Sequence, residues 1–210
     1  MKLYTAPRAP NPKRVHMFMV EKGISDIAFE AVDLNAQQHK AQDFVSKSPL
    51  SRVPVLALDD GRHISESRAI CTYLEGRYPE PNLMGVDATE RAFIEMNDRL
   101  VEWYLMLPTA QWVRHSHPGL AALDNPQFPE HGAVQGERRK AGLDWLEQQL
   151  TQHDWVAGDR MTIADITAFC TVEFSRLMKF KPGDAGYAHI QTWRDRMAER
   201  PSASAGDRID

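Results

Sequence analysis

The chain has little cysteine and lacks any long hydrophobic run. Its two cysteines, Cys71 and Cys170, stand far apart, so there is neither a C-x-x-C pair nor a disulfide framework. This scarcity excludes a dithiol redox motif and a cysteine-based zinc site, and it predicts a reducing compartment, the cytoplasm. Without a long apolar stretch, we also expect neither a signal peptide nor a membrane-spanning segment.

An excess of basic residues is absent as well. Lys and Arg total 25 against 29 Asp and Glu, which gives a formal net charge of -4. A dedicated nucleic-acid-binding protein usually carries a basic surface, so this balance argues against nucleic acid as a partner. The hydrophobic fraction of 42% and the charged fraction of 26% are those of an ordinary globular protein. No metal site is expected.

Short strand and helix patterns alternate in residues 1–79, which we predict to form the first domain. The pair Asn11-Pro12 is typical of an N-cap followed by proline at the first helical position, and Gly23 is typical of the residue after a helix. The other predicted elements are strands at Lys2–Thr5, Ile27–Asp33, Val55–Leu58 and His63–Ser65, and helices at Ala41–Lys47 and from Glu66 to before Pro79. This order predicts a mixed sheet with helices packed on it.

The composition changes after a linker that we place at residues 80–86. From there we predict an all-helical domain over residues 87–201, followed by a small, polar tail at residues 202–210 that frays. Pro108 is expected to stop the first long helix of that domain. The predicted helices are Thr89–Leu107, Val134–Leu150, Asp165–Phe174 and Ile190–Glu199, with a loop at His117–Glu130.

Four segments resemble, in their order and spacing, the sequence of a glutathione transferase. They are LYTAPRAPNPKRV at Leu3–Val15, SRVPVL at Ser51–Leu56, Glu66-Ser67 with AICTYLE after Arg68, and MTIADIT at Met161–Thr167. On these motifs the chain is identified as a member of that family, similar to its bacterial nu-like and theta-like classes. The resemblance implies an α+β thioredoxin-like N-terminal domain and an all-α C-terminal domain. It also implies that glutathione is a co-substrate and not a permanently bound cofactor.

Glu66-Ser67 stands where a strand meets a helix, and free N–H groups at a helix N-terminus attract a carboxylate. The resemblance implies that Glu66 contacts the ammonium group of the γ-glutamyl end of glutathione and that Ser67 contacts its carboxylate. Taken without the resemblance, Ser65 or Ser67 is more typical of a plain helix cap.

The pair Val53-Pro54 precedes an apolar strand run, where proline as the first strand residue is ordinary. The resemblance implies that this peptide bond is cis and that the backbone of Val53 pairs with the cysteinyl part of glutathione like one more strand. It also makes Arg52 and His39-Lys40 candidates for binding the glycyl carboxylate. The alternative is that these charges lie in solvated loops.

The usual catalytic hydroxyl is missing. Several classes of the family carry a Ser, Thr or Cys six residues before the apolar residue of the Arg14-Val15 pair, and that count arrives at Ala9. Asn11 is the nearest substitute, because its amide has two N–H donors that stabilise a thiolate without removing the proton of a thiol. Asn11 as a cap of the first helix is the alternative, and both roles are compatible.

The second substrate is expected to contact a largely apolar wall, to which we assign Pro7, Ala9, Leu107 and Gln111. The resemblance adds that the protein forms a two-fold homodimer.

Several other conspicuous residues have structural interpretations. Trp103 and Tyr104 are more typical of core or dimer packing than of a site. Cys71 and Cys170 are predicted to be buried and unreactive. The Thr162-x-x-Asp165 pattern is a capping box that serves the fold.

Three functions stay open on the sequence. In the first, the glutathione thiolate attacks a small, hydrophobic electrophile. In the second, the protein reduces disulfides or peroxides with glutathione, as relatives with Pro-Asn at this place do. In the third, it binds glutathione without catalysis, which the alanine at position 9 keeps open.

Overall fold

The computed structural model describes residues 1–209, which form two compact units. The first unit comprises Met1–Asn82 and the residues from Pro201 onward, and the second comprises Leu83–Arg200. Within the described residues, the strands belong to the first unit and the second is built of helices. The predicted fold class, a thioredoxin-like α+β domain with an all-α domain, is confirmed.

The first unit is built on a mixed four-stranded sheet. Its elements are β1 (Lys2–Thr5), α1 (Pro10–Glu21), β2 (Ala28–Ala31), a 3₁₀ helix (Gln38–Lys40), α2 (Gln42–Val45), β3 (Val55–Ala57), β4 (His63–Ser65) and α3 (Ser67–Arg77). The strand order is β2-β1-β3-β4, with β1 parallel to β2 and antiparallel to β3, and with β3 and β4 forming a hairpin. The helices α1 and α3 pack on one another, and this pairing brings their N-termini together.

Helix α1 begins earlier than the sequence suggests. Pro10 is its first residue and Ala9 is the N-cap residue, so the prediction that Asn11 caps this helix is wrong. Proline suits the first helical position because its fixed φ angle matches the helix and its missing N–H would have no partner there. Asn11 therefore lies inside the first turn. The predicted end of the helix is confirmed, since Gly23 follows it with a φ of +66°.

The second unit is an array of helices around a largely buried central helix. Its helices are α4 (Ala88–Leu100), a π-helical segment (Val101–Met106), α5 (Leu107–Ser116), α6 (Pro129–Gln152), α7 (Ile163–Ser175) and α8 (Ala188–Ala198). α7 is the central one, with almost all of its side chains buried. Within the described residues, no helix combines the length and the hydropathy that a membrane crossing requires.

Pro108 does not stop the first long helix, and that prediction is wrong. The chain passes from α4 through the π-helical segment into α5 without a break, and Pro108 lies in the first turn of α5. The wider π-helical turn bonds the amide of Leu107 to the carbonyl of Glu102. Proline is tolerated here because the hydrogen-bonding register already changes at this point and an N–H of residue 108 is not needed to continue it.

The capping box at the start of α7 is confirmed. The Thr162 hydroxyl accepts from the amide of Ala164, and the Asp165 carboxylate accepts from the amide of Thr162. Asp165 also accepts from the amide of Val156 and from the indole of Trp193. Its complete burial raises the pKa of this carboxyl to about 6, against the lowering effect of those donors.

The C-terminal residues do not fray, so the prediction of a frayed tail is wrong. A 3₁₀ helix at Pro201–Ser204 packs against α1, and Ser202 is completely buried. The backbone carbonyl of Gly206 accepts from the amide of Arg8. Small, polar residues suit this segment because it lies close against another helix, a contact that composition does not reveal. Asp210 lies outside the described residues.

Candidate functional site

The N-termini of α1 and α3 are adjacent, and a short chain of polar side chains joins them. The hydroxyl of Ser67 donates to Oδ1 of Asn11 over 3.4 Å and accepts from Nη1 of Arg14 over 3.1 Å. Neither helix has a side-chain cap. Because the first amides of a helix carry a partial positive charge and lack intrahelical acceptors, two adjoining N-termini form a place that favours an anion.

Glu66 holds the N-cap position of α3 in an unusual backbone conformation. Its φ is +69° with a ψ of 114°, a combination that is costly for a residue other than glycine. Strain of this kind amounts to about 1–3 kcal/mol and is concentrated at functional sites. The Glu66 side chain is exposed and has no hydrogen-bond or ion-pair partner among residues 1–209. It is therefore available to a cationic group.

Helix capping by Ser65 or Ser67, the structural alternative from the sequence, is wrong. The N-cap residue is Glu66, which makes no side-chain cap. Ser67 is buried, with 4% of its surface exposed, and its hydroxyl is engaged with Asn11 and Arg14. Its contacts are thus directed across to α1.

Arg14 is a residue of this cluster that the sequence analysis did not single out. It is 1% exposed, although arginine is almost never fully buried without partners. Its guanidinium donates to Ser67 and so orients the hydroxyl toward Asn11. The sequence carried no clear signal for this burial, since Lys13 and His16 in the same helix are buried as well.

The Val53–Pro54 peptide bond is cis in the structure. Val53 is half-buried and lies immediately before β3, outside the paired residues of that strand. The preceding loop is closed by Ser48, whose hydroxyl accepts from the amide of Arg52 and donates to the carbonyl of Arg52. These two hydrogen bonds fix the backbone that leads into Val53.

The three predicted cationic residues differ in exposure. Lys40 and Arg52 are exposed, and within the described residues neither side chain has a hydrogen-bond or ion-pair partner. His39 is buried, with 7% of its surface exposed, in the 3₁₀ helix before α2. The solvated-loop alternative is therefore wrong for His39.

The residues proposed for the second substrate fall in both units. Pro7 is exposed and Ala9 half-buried in the loop before α1. Leu107 is 44% exposed at the start of α5, and Gln111 is half-buried one turn further.

Two aromatic residues lie at the surface of their unit. Trp103 and Tyr104 are 60% and 58% exposed, which excludes core packing and leaves the dimer packing of the sequence interpretation as a prediction. Both lie in the π-helical segment and present aromatic surface to the outside of their unit. Cys71 and Cys170 are buried, as predicted, and form no disulfide bond. No cluster of metal-ligating side chains occurs in the part of the chain that the structure describes.

Known protein families match this chain over most of its sequence. The family model described as glutathione S-transferase, N-terminal domain, matches residues 3–82, and the one described as glutathione S-transferase, C-terminal domain, matches residues 105–201. Glutathione S-transferase 2 of Saccharomyces cerevisiae is 32% identical over 204 residues, which cover 96% of this chain and 87% of the relative. This chain belongs to the glutathione S-transferase family.

Solved structures agree with this assignment. A glutathione S-transferase domain-containing protein of Marinobacter aquaeolei VT8 has 37% identity and a TM-score of 0.91, with 97% of this chain and 100% of that chain covered. Gtt2 of Saccharomyces cerevisiae has 31% identity and a TM-score of 0.89, with 97% and 98% covered. The chain is therefore a transferase of a family that takes glutathione as its co-substrate.

Proposed function

We propose that this glutathione S-transferase binds glutathione across the N-termini of α1 and α3 and directs its thiolate at a small, hydrophobic electrophile. The observation that supports this most is the adjacency of two uncapped helix N-termini, linked through Asn11 and Ser67 and flanked by the strained Glu66. A carboxylate and a thiolate are the two anionic groups of glutathione that such an arrangement favours.

The γ-glutamyl end of glutathione is the part that fits α3. Its carboxylate would accept from the Ser67 hydroxyl and from the first amides of α3, and its ammonium group would pair with the exposed carboxylate of Glu66. The backbone strain at Glu66 is consistent with this role, since strained residues concentrate where a side chain must be held for a ligand.

The rest of the tripeptide has matching candidates in the segment between β2 and β3. The backbone of Val53, before the cis Pro54, would pair with the cysteinyl residue. The unpaired, exposed cations Lys40 and Arg52 would attract the glycyl carboxylate, and His39 would support that loop from its buried position.

The thiolate is assigned to Asn11. Ala9 has no side-chain donor, so a hydroxyl cannot stabilise the sulfur from that position. The Asn11 amide oxygen accepts from Ser67, and both N–H donors of the same amide remain available for an anion. A hydrogen bond from such a donor and the positive end of α1 both lower the pKa of a thiol, which is about 8.5 when unperturbed.

The second substrate, the dimer and the location complete the proposal. Pro7, Ala9, Leu107 and Gln111 would contact the second substrate, and the apolar Leu107 suits a hydrophobic one. The exposed Trp103 and Tyr104 suit the interface of a two-fold homodimer, where aromatic residues are enriched. Two buried cysteines that form no disulfide bond suit a reducing, cytoplasmic location.

Glutathione-dependent reduction of disulfides or peroxides is the second candidate function. It is favoured by the Pro10-Asn11 pair at the sulfur site and needs no protein thiol, which agrees with the burial of both cysteines. A non-catalytic glutathione-binding protein is the third, and the missing hydroxyl at Ala9 is what favours it.

Calorimetry with glutathione, followed by conjugation and disulfide-reduction assays on the same preparation, tests these functions. Binding with conjugation supports the first proposal, and binding with reduction alone supports the second. Binding without either activity supports the third. Well-folded protein that shows no heat and no thermal stabilisation with an excess of glutathione contradicts all three.

A further inference from the structure

The C-terminal residues of this chain contact α1 along its whole length. Ser202 is buried and its hydroxyl donates to the carboxylate of Glu21, in the last turn of α1. Further along the segment, Gly206 packs on His16 in the middle of the helix. The segment therefore runs from the C-terminal end of α1 toward its N-terminal end.

At that N-terminal end, the segment contacts residues on both sides of Asn11. The carbonyl of Gly206 accepts from the amide of Arg8 over 3.0 Å, and Asp207 pairs with Nζ of Lys13 over 2.7 Å. Arg8 lies in the loop before α1 and Lys13 in its first turn, so the two contacts bracket Asn11 in the sequence. The Lys13 side chain is only 9% exposed, which makes this ion pair better ordered than a surface pair.

The two residues that form this backbone hydrogen bond both have a positive φ angle. Arg8 has a φ of +60°, in the left-handed region that residues other than glycine rarely adopt. Gly206 has a φ of +76°, and a Cβ at this position would lie 2.8 Å from Cδ2 of His16. Only glycine allows the segment to approach α1 closely enough for its carbonyl to hold the amide of Arg8.

We infer that residues 201–207 are a positioning element of the thiolate site, because they hold the loop before α1, and with it Asn11, in the geometry that receives the sulfur. The inference rests on the proposed function and extends it to residues that do not touch glutathione. Gly206 and Asp207 act through Arg8 and Lys13. Their loss should change the ionisation of the bound thiol more than the affinity for the tripeptide, which depends on α3 and on the segment between β2 and β3.

Gly206→Ala is the first test, since it keeps every charge while it disturbs the close approach to His16 and the left-handed backbone at this position. We expect the pKa of bound glutathione, followed by the ultraviolet absorbance of the thiolate, to rise by about half a unit to one unit. Turnover at neutral pH should fall by about threefold to tenfold, with the dissociation constant of glutathione changed by less than about twofold.

A pair of truncations supplies a second test with a matched control. A chain that ends after Ala205 loses Gly206 and Asp207 but keeps the anchor of Ser202, whereas a chain that ends after Asp207 keeps all of these contacts. The shorter chain should reproduce the rise in thiol pKa, and the longer should match the full chain. If the segment acted only by neutralising Lys13, removal of Asp207 would leave a free cation and lower the thiol pKa instead.

The outcomes separate this inference from the proposed function. A full chain that does not bind glutathione overturns both. A full chain that forms the thiolate, together with folded Gly206→Ala and Ala205-terminated variants whose thiol pKa and turnover are unchanged, overturns the positioning role alone. A fall in thiol pKa in the truncated chain also overturns it.

Discussion

The hydroxyl of Ser67 donates to the amide oxygen of Asn11 across 56 positions of sequence, from the first residue of α3 to the first turn of α1. At 3.4 Å this hydrogen bond is long, and its main effect is orientation. With its oxygen turned to Ser67, Asn11 presents N–H donors where the proposed thiolate lies. The two residues should therefore have separable functions.

Asn11→Ala should lower kcat by about tenfold or more while the dissociation constant of glutathione changes little, because a donor to the developing thiolate is lost. Steady-state kinetics and calorimetry on the same variant measure the two quantities. Ser67→Ala is the comparison. It should weaken glutathione binding by about tenfold, since a hydrogen bond to a charged carboxylate is removed. Equal turnover in Asn11→Ala and the parent chain would remove Asn11 from the mechanism.

His16 should contribute a loss of stability at acid pH. It is buried beside Thr5, and burial, with a smaller effect of Lys13, lowers its pKa from 6.5 to about 4. Between these values the unfolded chain binds a proton that the folded chain does not, so the free energy of unfolding falls as pH falls through this window. The loss amounts to about 3 kcal/mol if the shift is fully expressed.

His16→Gln should remove the contribution of His16 to the pH dependence of stability, since glutamine keeps a polar partner for Thr5 and does not titrate. Urea unfolding at about pH 4 and at about pH 6.5 measures the difference. His63→Gln, on the exposed β4 strand, is the control and should retain the parent profile. An unchanged profile in His16→Gln would mean that another group carries the acid sensitivity.

Asp165 should contribute a dependence of opposite sign in an overlapping window. Its pKa is raised from 3.8 to about 6, so the folded chain holds a proton that the unfolded chain has already released. The free energy of unfolding then falls as pH rises from about 4 to about 6, by about 3 kcal/mol if fully expressed. In the parent chain this slope offsets that of His16.

Asp165→Asn should expose the His16 slope, so the free energy of unfolding should rise steadily with pH across the same range. The variant should also be less stable at every pH, because its amide group faces the amides of Val156 and Thr162. A flat profile in Asp165→Asn would contradict this assignment.

Gly142 should be indispensable for the packing of α6 on the π-helical segment. A Cβ at this position would lie 2.4 Å from the backbone oxygen of Tyr104, which cannot move aside as a flexible side chain would. Gly142→Ala should therefore lower the free energy of unfolding by about 1–3 kcal/mol or more.

Gly76→Ala is the matched control, because this glycine also lies in a helix and has nothing within 4 Å of the new methyl group. It should raise stability by about 0.5–1 kcal/mol, and thermal unfolding of both variants compares them.

Much of the fold followed from patterns that span only a few residues. The alternation of strand and helix patterns predicted the mixed sheet, Gly23 predicted the end of α1, and Thr162 with Asp165 predicted the start of α7. Such features are local because a cap or a helix end depends on hydrogen bonds between near neighbours in the chain. At the start of α1 the local pattern was misleading, because Asn11-Pro12 predicted a first helical residue two positions later than Pro10, where the helix begins.

What the sequence determined by itself is the fold class, the family and the set of residues that face glutathione in the proposal. Only the tertiary structure decided that Asn11 meets Ser67, that Arg14 lies buried beside them and that the C-terminal residues return to α1. These contacts join positions far apart in the chain, and they form only when packing of the cores brings separate elements together. Short-range propensities carry no record of that packing, so the geometry of the site belongs to the folded molecule.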